Sequence, residues 1–225
     1  MNFSFQFMFE VFLAALGAVP KTVFLAVVSV AIGIVFGLPV ALVRFYRIRV
    51  ADQAFKWFVT IIKGIPAVLM MLTLYLLLIS NLKLKISSEA VTVIALSIMS
   101  TTGMSEIFRG ALNSIDKSQF DAAYSVGHTT APTLLRVVLP QIVPVSIPML
   151  CNVCIGMIKA VALGSLIGIV DIMNTAVLKA SLNYRYLEAY FAAAIIYWAL
   201  CILMEQAFKA VERSFNKRIR KARVC

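Results

Sequence analysis

Apolar residues run in long blocks along this chain, and most charged residues fall between the blocks. The first block, Val23 to Val43, holds 21 uncharged residues and is followed at once by Arg44, Arg47 and Arg49. About 20 apolar residues suffice for a helix to cross a hydrocarbon core, so this block predicts a transmembrane helix. A cleavable leader would place its charge first and a shorter apolar stretch after it; here the order is reversed. Further blocks lie between Lys63 and Lys83, with Gly64 and Pro66 at the entrance, and between Glu89 and Glu106. A fourth extends from Val143 to Val170 with Lys159 as its one charge, and a fifth lies between Glu188 and Glu205. Several are shorter than a full span, as helices buried in a bundle or lining a cavity can be. The pattern predicts an all-α polytopic membrane bundle of about five transmembrane helices.

Composition sharpens this. Apolar residues make up 62% of the 225 and charged residues only 14%, whereas a soluble domain carries about a quarter charged. Five spans leave no room for a soluble catalytic domain beside them. The net charge of +11 could suggest nucleic acid, but the basic residues flank the apolar blocks, as membrane orientation requires. Segments 44–63, 109–143 and 209–225 hold 5, 3 and 7 of the 21 Lys and Arg residues. Placing these segments inside puts the N-terminus outside and the C-terminus in the cytoplasm. Three parts are expected: an amphipathic outer segment over 1–18, with phenylalanines at 3, 5, 7, 9 and 12, a transmembrane domain over 19–208, and a basic cytoplasmic tail over 209–225 attracted to anionic lipid. The Cys-x-x-Cys at 151–154 lies in an apolar run and reads as packing. His128 is the single histidine, which excludes multi-histidine metal sites. No Gly-x-x-x-x-Gly-Lys-Ser/Thr loop is present to hold phosphates, so no ATP hydrolysis and no bound cofactor are expected on this chain.

The stretch 105–141 differs from the other connections. Ser118 or Asp116 can cap a helix starting near Gln119, with Asp121 in its favourable first turn. Asp121-Ala122-Ala123 presents small side chains, and Gly127 permits a turn or close contact. Pro132 should start a new helical segment, and Pro140 should break the chain before it re-enters the membrane. A short exposed helix with a small-residue knob suits docking in another protein's groove; it also fits an ordinary loop helix.

Arg109-Gly110, Ser114-Ile115, Gln119, Asp121-Ala122-Ala123, Gly127, Leu139-Pro140-Gln141, Ile147-Pro148 and Asn152 follow one another in a specific order. This order resembles the coupling region of ABC importer permeases of the polar amino acid subfamily. Lys63-Gly64-Ile65-Pro66 resembles that subfamily's Arg-Gly-Thr-Pro, Thr22 fits as well, and the resemblance extends over about residues 15 to 210. It implies a permease of the bacterial inner membrane, working with an ABC ATPase dimer that binds ATP and Mg, an extracytoplasmic amino-acid-binding protein and a second permease chain. It also implies that Gln119, Asp121, Ala122, Ala123, Gly127, His128, Leu139 and Pro140 couple the ATPase to the spans by a rigid-body switch. Three departures stand out. Asp121 replaces Glu, Lys63 replaces Arg, and Lys-Ala-Val-Ala-Leu at 159–163 replaces Lys-Asp-Thr-Ser-Leu. The last suggests a narrower or more apolar substrate preference, with cystine or another sulfur or neutral amino acid as the example.

Ionisable groups in a span are costly and usually face a bundle interior or a cavity. Glu106, Arg109, Asn152 and Lys159 are therefore substrate-path candidates, able to receive the two charged ends of a zwitterion. Glu106 and Arg109, one turn apart on one helical face, can instead form a structural ion pair. A secondary transporter driven by an ion gradient would commonly carry internal repeats, and none is found. A permease for another polar solute stays open. Intramembrane protease motifs, Gly-x-Ser-x-Gly and His-Glu-x-x-His, are absent.

Overall fold

A computed structural model describes residues 3–222. It is helical throughout, with α1 (Phe5–Leu16), α2 (Val19–Phe45), α3 (Arg49–Gly64), α4 (Ala67–Tyr75, prolonged by a π-helical turn Leu76–Asn81) and α5 (Ser88–Asn113). A short α6 (Lys117–Ser125) leads to α7 (Thr130–Ile167), then α8 (Ile172–Asn183) and α9 (Tyr186–Ala222). Helices α2, α5, α7 and α9 are each long and apolar enough to cross a membrane. The α3–α4 pair makes a fifth candidate, bent by 101°. Pro66 explains the bend: it disfavours helical geometry in the residue before it, and Ile65 is extended at φ −90°, ψ 126°.

The 44–63 connection is not a loop. Residues 49–64 alternate with helical period, so that Arg49, Asp52, Gln53, Lys56, Thr60 and Lys63 fall on one arc and apolar residues on the rest.

The most extensive packing joins α2 to α5. Lys21 meets Glu89 at 2.7 Å, Gly33 meets Ser100, Gly37 meets Met104, and Arg44 meets Glu106. Both residue numbers rise together, so the two helices run parallel. The seam is lined with small and hydroxyl-bearing residues because glycine lets backbones approach closely. Ser29 Oγ donates to Leu25 O at 2.8 Å and Ser105 Oγ to Thr102 O at 2.8 Å, within their own helices, whereas the buried hydroxyls of Ser97 and Ser100 have no partner among the described residues.

Helix α1 buries Val11 and Ala15 among the alanines Ala176, Ala180, Ala189 and Ala192 of α8 and α9. Its entry is held by Ser4 N–H donating to Glu188 Oε1 at 3.1 Å. The opposite face, with Phe5, Phe9 and Leu13, is apolar too, so α1 is less amphipathic than its spacing suggests. Helix α9 continues unbroken through residue 209 to Ala222, a rod of about 55 Å. The expected basic tail therefore prolongs the last span; residues 223–225 lie outside the described part.

Candidate functional site

Helix α6 begins two residues earlier than the spacing suggests. Asp116 is its N-cap, its Oδ1 accepting from Ser118 N–H at 2.9 Å, and that bond holds the Asp116 carboxyl below the usual carboxylate range. Asp121 consequently sits in the second turn, away from the N-terminal amides. The far end closes with Gly127 in the left-handed region at φ +85°. Gly127 N–H donates to Tyr124 O at 3.0 Å and His128 N–H to Ala123 O at 3.1 Å, which is the Schellman arrangement.

The helix has two faces. Phe120 turns inward, packing against the core of Ala111, Leu112, Val138 and Ile142 and stacking on Phe45 with ring centroids 6.0 Å apart. Ala123 is buried, contrary to its expected place on an exposed knob, because α6 lies against the first turns of α7. Gln119, Asp121 and Ala122 are exposed, and His128 is half-buried. A concavity of about 370 Å³ opens beside the helix, walled by Phe45, Tyr46, Leu112, Phe120, Asp121 and Tyr124.

Pro132 lies in the first turn of α7, as expected, but Pro140 does not break the chain. A π-helical stretch over Thr133–Val138 precedes it, with Leu139 N–H bonded to Leu134 O. This wider turn carries the helix past Leu139, half-buried, and Pro140, exposed.

Glu106 and Arg109 do meet, at 3.1 Å between Oε2 and a guanidinium nitrogen. They are part of a larger cluster. Arg44 from the end of α2 binds Glu106 Oε1, and Lys63 from the end of α3 approaches Oε2 at 3.7 Å. Arg44 had a readable signal only as a charge at a span end, and Lys63 only as part of Lys-Gly-Ile-Pro. A carboxylate facing three cations ties three helices together and has little capacity left for a solute ammonium.

Asn152 and Lys159 lie elsewhere, two turns apart on one face of α7, and both are exposed. Val145 and Met149 continue the same exposed stripe. No ion pair among the described residues includes Lys159. It borders a cavity of about 550 Å³ with Tyr190, Tyr197, Trp198 and Cys201. Tyr197 donates its hydroxyl to Asp171 Oδ2 at 3.3 Å, while Asp171 Oδ1 caps α8 through Asn174 N–H at 2.8 Å. Asp171 is fully buried and serves as the N-cap of α8, a role signalled in the sequence only by an Asp ahead of a helical run.

Residues 33–217 match the family of binding-protein-dependent transport system inner membrane components. The chain belongs to this family. It is an ABC transporter permease and a multi-pass protein of the bacterial inner membrane. The permease is 32% identical over 214 residues to the probable amino-acid permease protein YxeN of Bacillus subtilis, covering 94% of this chain and 96% of the relative. It is 30% identical over 206 residues to the L-cystine transport system permease protein TcyL of the same organism, covering 88% of this chain and 85% of the relative. Its fold superposes on a crystal structure of an amino acid ABC transporter with histidines at a TM-score of 0.83 and 28% identity, over 95% of this chain and 100% of that one.

Proposed function

We propose that this permease forms the translocation path of an ATP-driven importer for polar amino acids, with α6 as its contact to a separate ATPase dimer. The observation that carries the reading is the division of α6 into two faces. Phe120 and Ala123 anchor it to α5 and α7, while Gln119, Asp121 and Ala122 are left outward. A small knob on a helix rooted in two spans can transmit a push in either direction.

In this reading α6 and the Glu106 cluster lie on the cytoplasmic side, in keeping with the Lys and Arg bias. ATP and Mg bind on the ATPase, and an extracytoplasmic binding protein delivers the amino acid. A second permease chain, identical or related, covers the Val145–Lys159 stripe, because polar residues such as Asn152 and Lys159 are costly against lipid. Lys159 then offers an ammonium to a substrate carboxylate. Glu106 and Arg109 act structurally. The cystine relative supports testing cystine first.

The experiment is reconstitution in liposomes with the ATPase and binding-protein partners, measuring ATP-driven uptake of a labelled amino-acid panel. Uptake of one amino-acid class that requires ATP supports the reading. Uptake that ignores the ATPase would overturn the coupling, and transport of only non-amino-acid solutes would overturn the substrate class.

A further inference from the structure

Segment 44–63 carries five cations, Arg44, Arg47, Arg49, Lys56 and Lys63, and one acid, Asp52. Three of the cations are engaged. Arg44 and Lys63 bind Glu106, and Lys56 binds Asp52 at 2.9 Å. Arg47 and Arg49 are exposed and appear in no ion pair among the described residues. They stand together at the junction where α2 turns into α3, and Arg47 holds the left-handed backbone at φ 52°.

Directly beyond this junction lies a groove of about 660 Å³, within the roughly 300–1,000 Å³ typical of ligand sites. Its walls are Phe36 and Pro39 of α2 and Ile94 and Ser97 of α5, and Ala54 and Phe58 of α3 close it. It is open along one side, where Phe36 is 60% exposed. Arg49 precedes Ala54 by five residues, about 7.5 Å along the helix axis. The amphipathic pattern of α3 and its 101° bend from α4 suit a helix lying at the membrane interface, with Trp57 on its apolar side. Two exposed arginines in no ion pair among the described residues, at the junction where the α2 and α3 walls of an apolar slot converge, suit one kind of molecule: a phosphate diester joined to a hydrocarbon chain.

We propose that the groove between α2, α3 and α5 holds an acyl chain of an anionic glycerophospholipid whose phosphate is bound by Arg47 and Arg49. The guanidinium fork suits a phosphate better than an ammonium would. Selection for the anionic headgroup follows from the two free charges, and retention follows from the acyl slot. A neutral lipid would satisfy the slot alone. A second copy of the chain would satisfy neither arginine unless it brought an acidic surface to them.

The full-length permease is purified by way of an equal mixture of phosphatidylglycerol and phosphatidylcholine with identical acyl chains, and co-purifying lipid is counted by mass spectrometry. About one phosphatidylglycerol per chain should be retained, enriched on the order of tenfold over phosphatidylcholine. The Arg47→Gln, Arg49→Gln double variant should bring the ratio back to that of the mixture, while Lys83→Gln with Lys85→Gln should leave the enrichment in place. Ala54→Phe, at an exposed position that fills the slot, should lower the total lipid retained without lowering the melting temperature. Equal retention of both lipids overturns the proposal. So does enrichment that survives loss of both arginines or falls equally with the lysine pair. Crosslinking of Ala54→Cys to a second copy would assign the groove to a protein contact instead.

Discussion

Gly33 packs against Ser100 so closely that a Cβ on Gly33 would stand 2.1 Å from the serine Oγ and 2.9 Å from its backbone carbonyl carbon. Four residues on, a Cβ at Gly37 would reach Met104 Cβ at 2.6 Å. The parallel α2–α5 seam therefore depends on the missing side chains. Gly33→Ala is expected to cost about 1–3 kcal/mol through overpacking, read as a lower melting temperature in detergent. Ser100→Gly in the same chain should recover part of that loss. Strict additivity of the two changes would show that the contact is not the cause.

Glu106→Gln leaves Arg44, Lys63 and Arg109 facing one another without their shared carboxylate. A loss of about 2 kcal/mol is expected, given that Glu106 is only partly shielded from water. Thermal unfolding should show it, while the KM for uptake stays near that of the unaltered chain. A raised KM with unchanged melting would instead place Glu106 against the solute.

Ala122→Arg and Ala123→Arg should separate docking from folding. The first adds a long charged chain to the exposed face, and the melting temperature should hold while ATP-driven uptake collapses. The second forces a guanidinium into the packing between α6 and α7 and should lower the melting temperature before any question of docking arises. Equal melting for both variants would contradict the inward placement of Ala123.

Gly127→Ala introduces a Cβ into a left-handed backbone position, costing about 1–2 kcal/mol, although open space surrounds it. The Schellman closure of α6 should fray, visible as faster amide exchange at His128 and weaker coupling of ATP hydrolysis to uptake. Gly127→Asn, which tolerates that conformation better, should be the milder change.

The spans were legible because a run such as Val23–Val43 has few physical homes other than lipid. The turn at Gly127 was legible for the same kind of reason, since the local backbone demanded it. Helix α3 was hidden by its charges: Arg49, Lys56 and Lys63 read as a cytoplasmic connection, although their helical period was already present. Arg109 followed from its spacing to Glu106, whereas Arg44 and Lys63 reach that carboxylate only through tertiary packing. Ala123 turned inward for a similar reason. Which side of a nine-residue helix is buried is decided by its neighbours, here α7, and not by its own small residues.

Pro140, Pro144 and Pro148 repeat every four residues along α7. Each lacks the N–H that would bond the carbonyl four residues earlier, so Arg136, Pro140 and Pro144 lose their regular donors along one side of the helix. That side is compliant where an unbroken ladder would be stiff. It lies between α6 and the face that carries Asn152 and Lys159. If α6 receives the push proposed for it, that push would reach Lys159 as curvature in a spring, and the angle of that flexure, rather than the travel of a rod, would set how far the lysine moves.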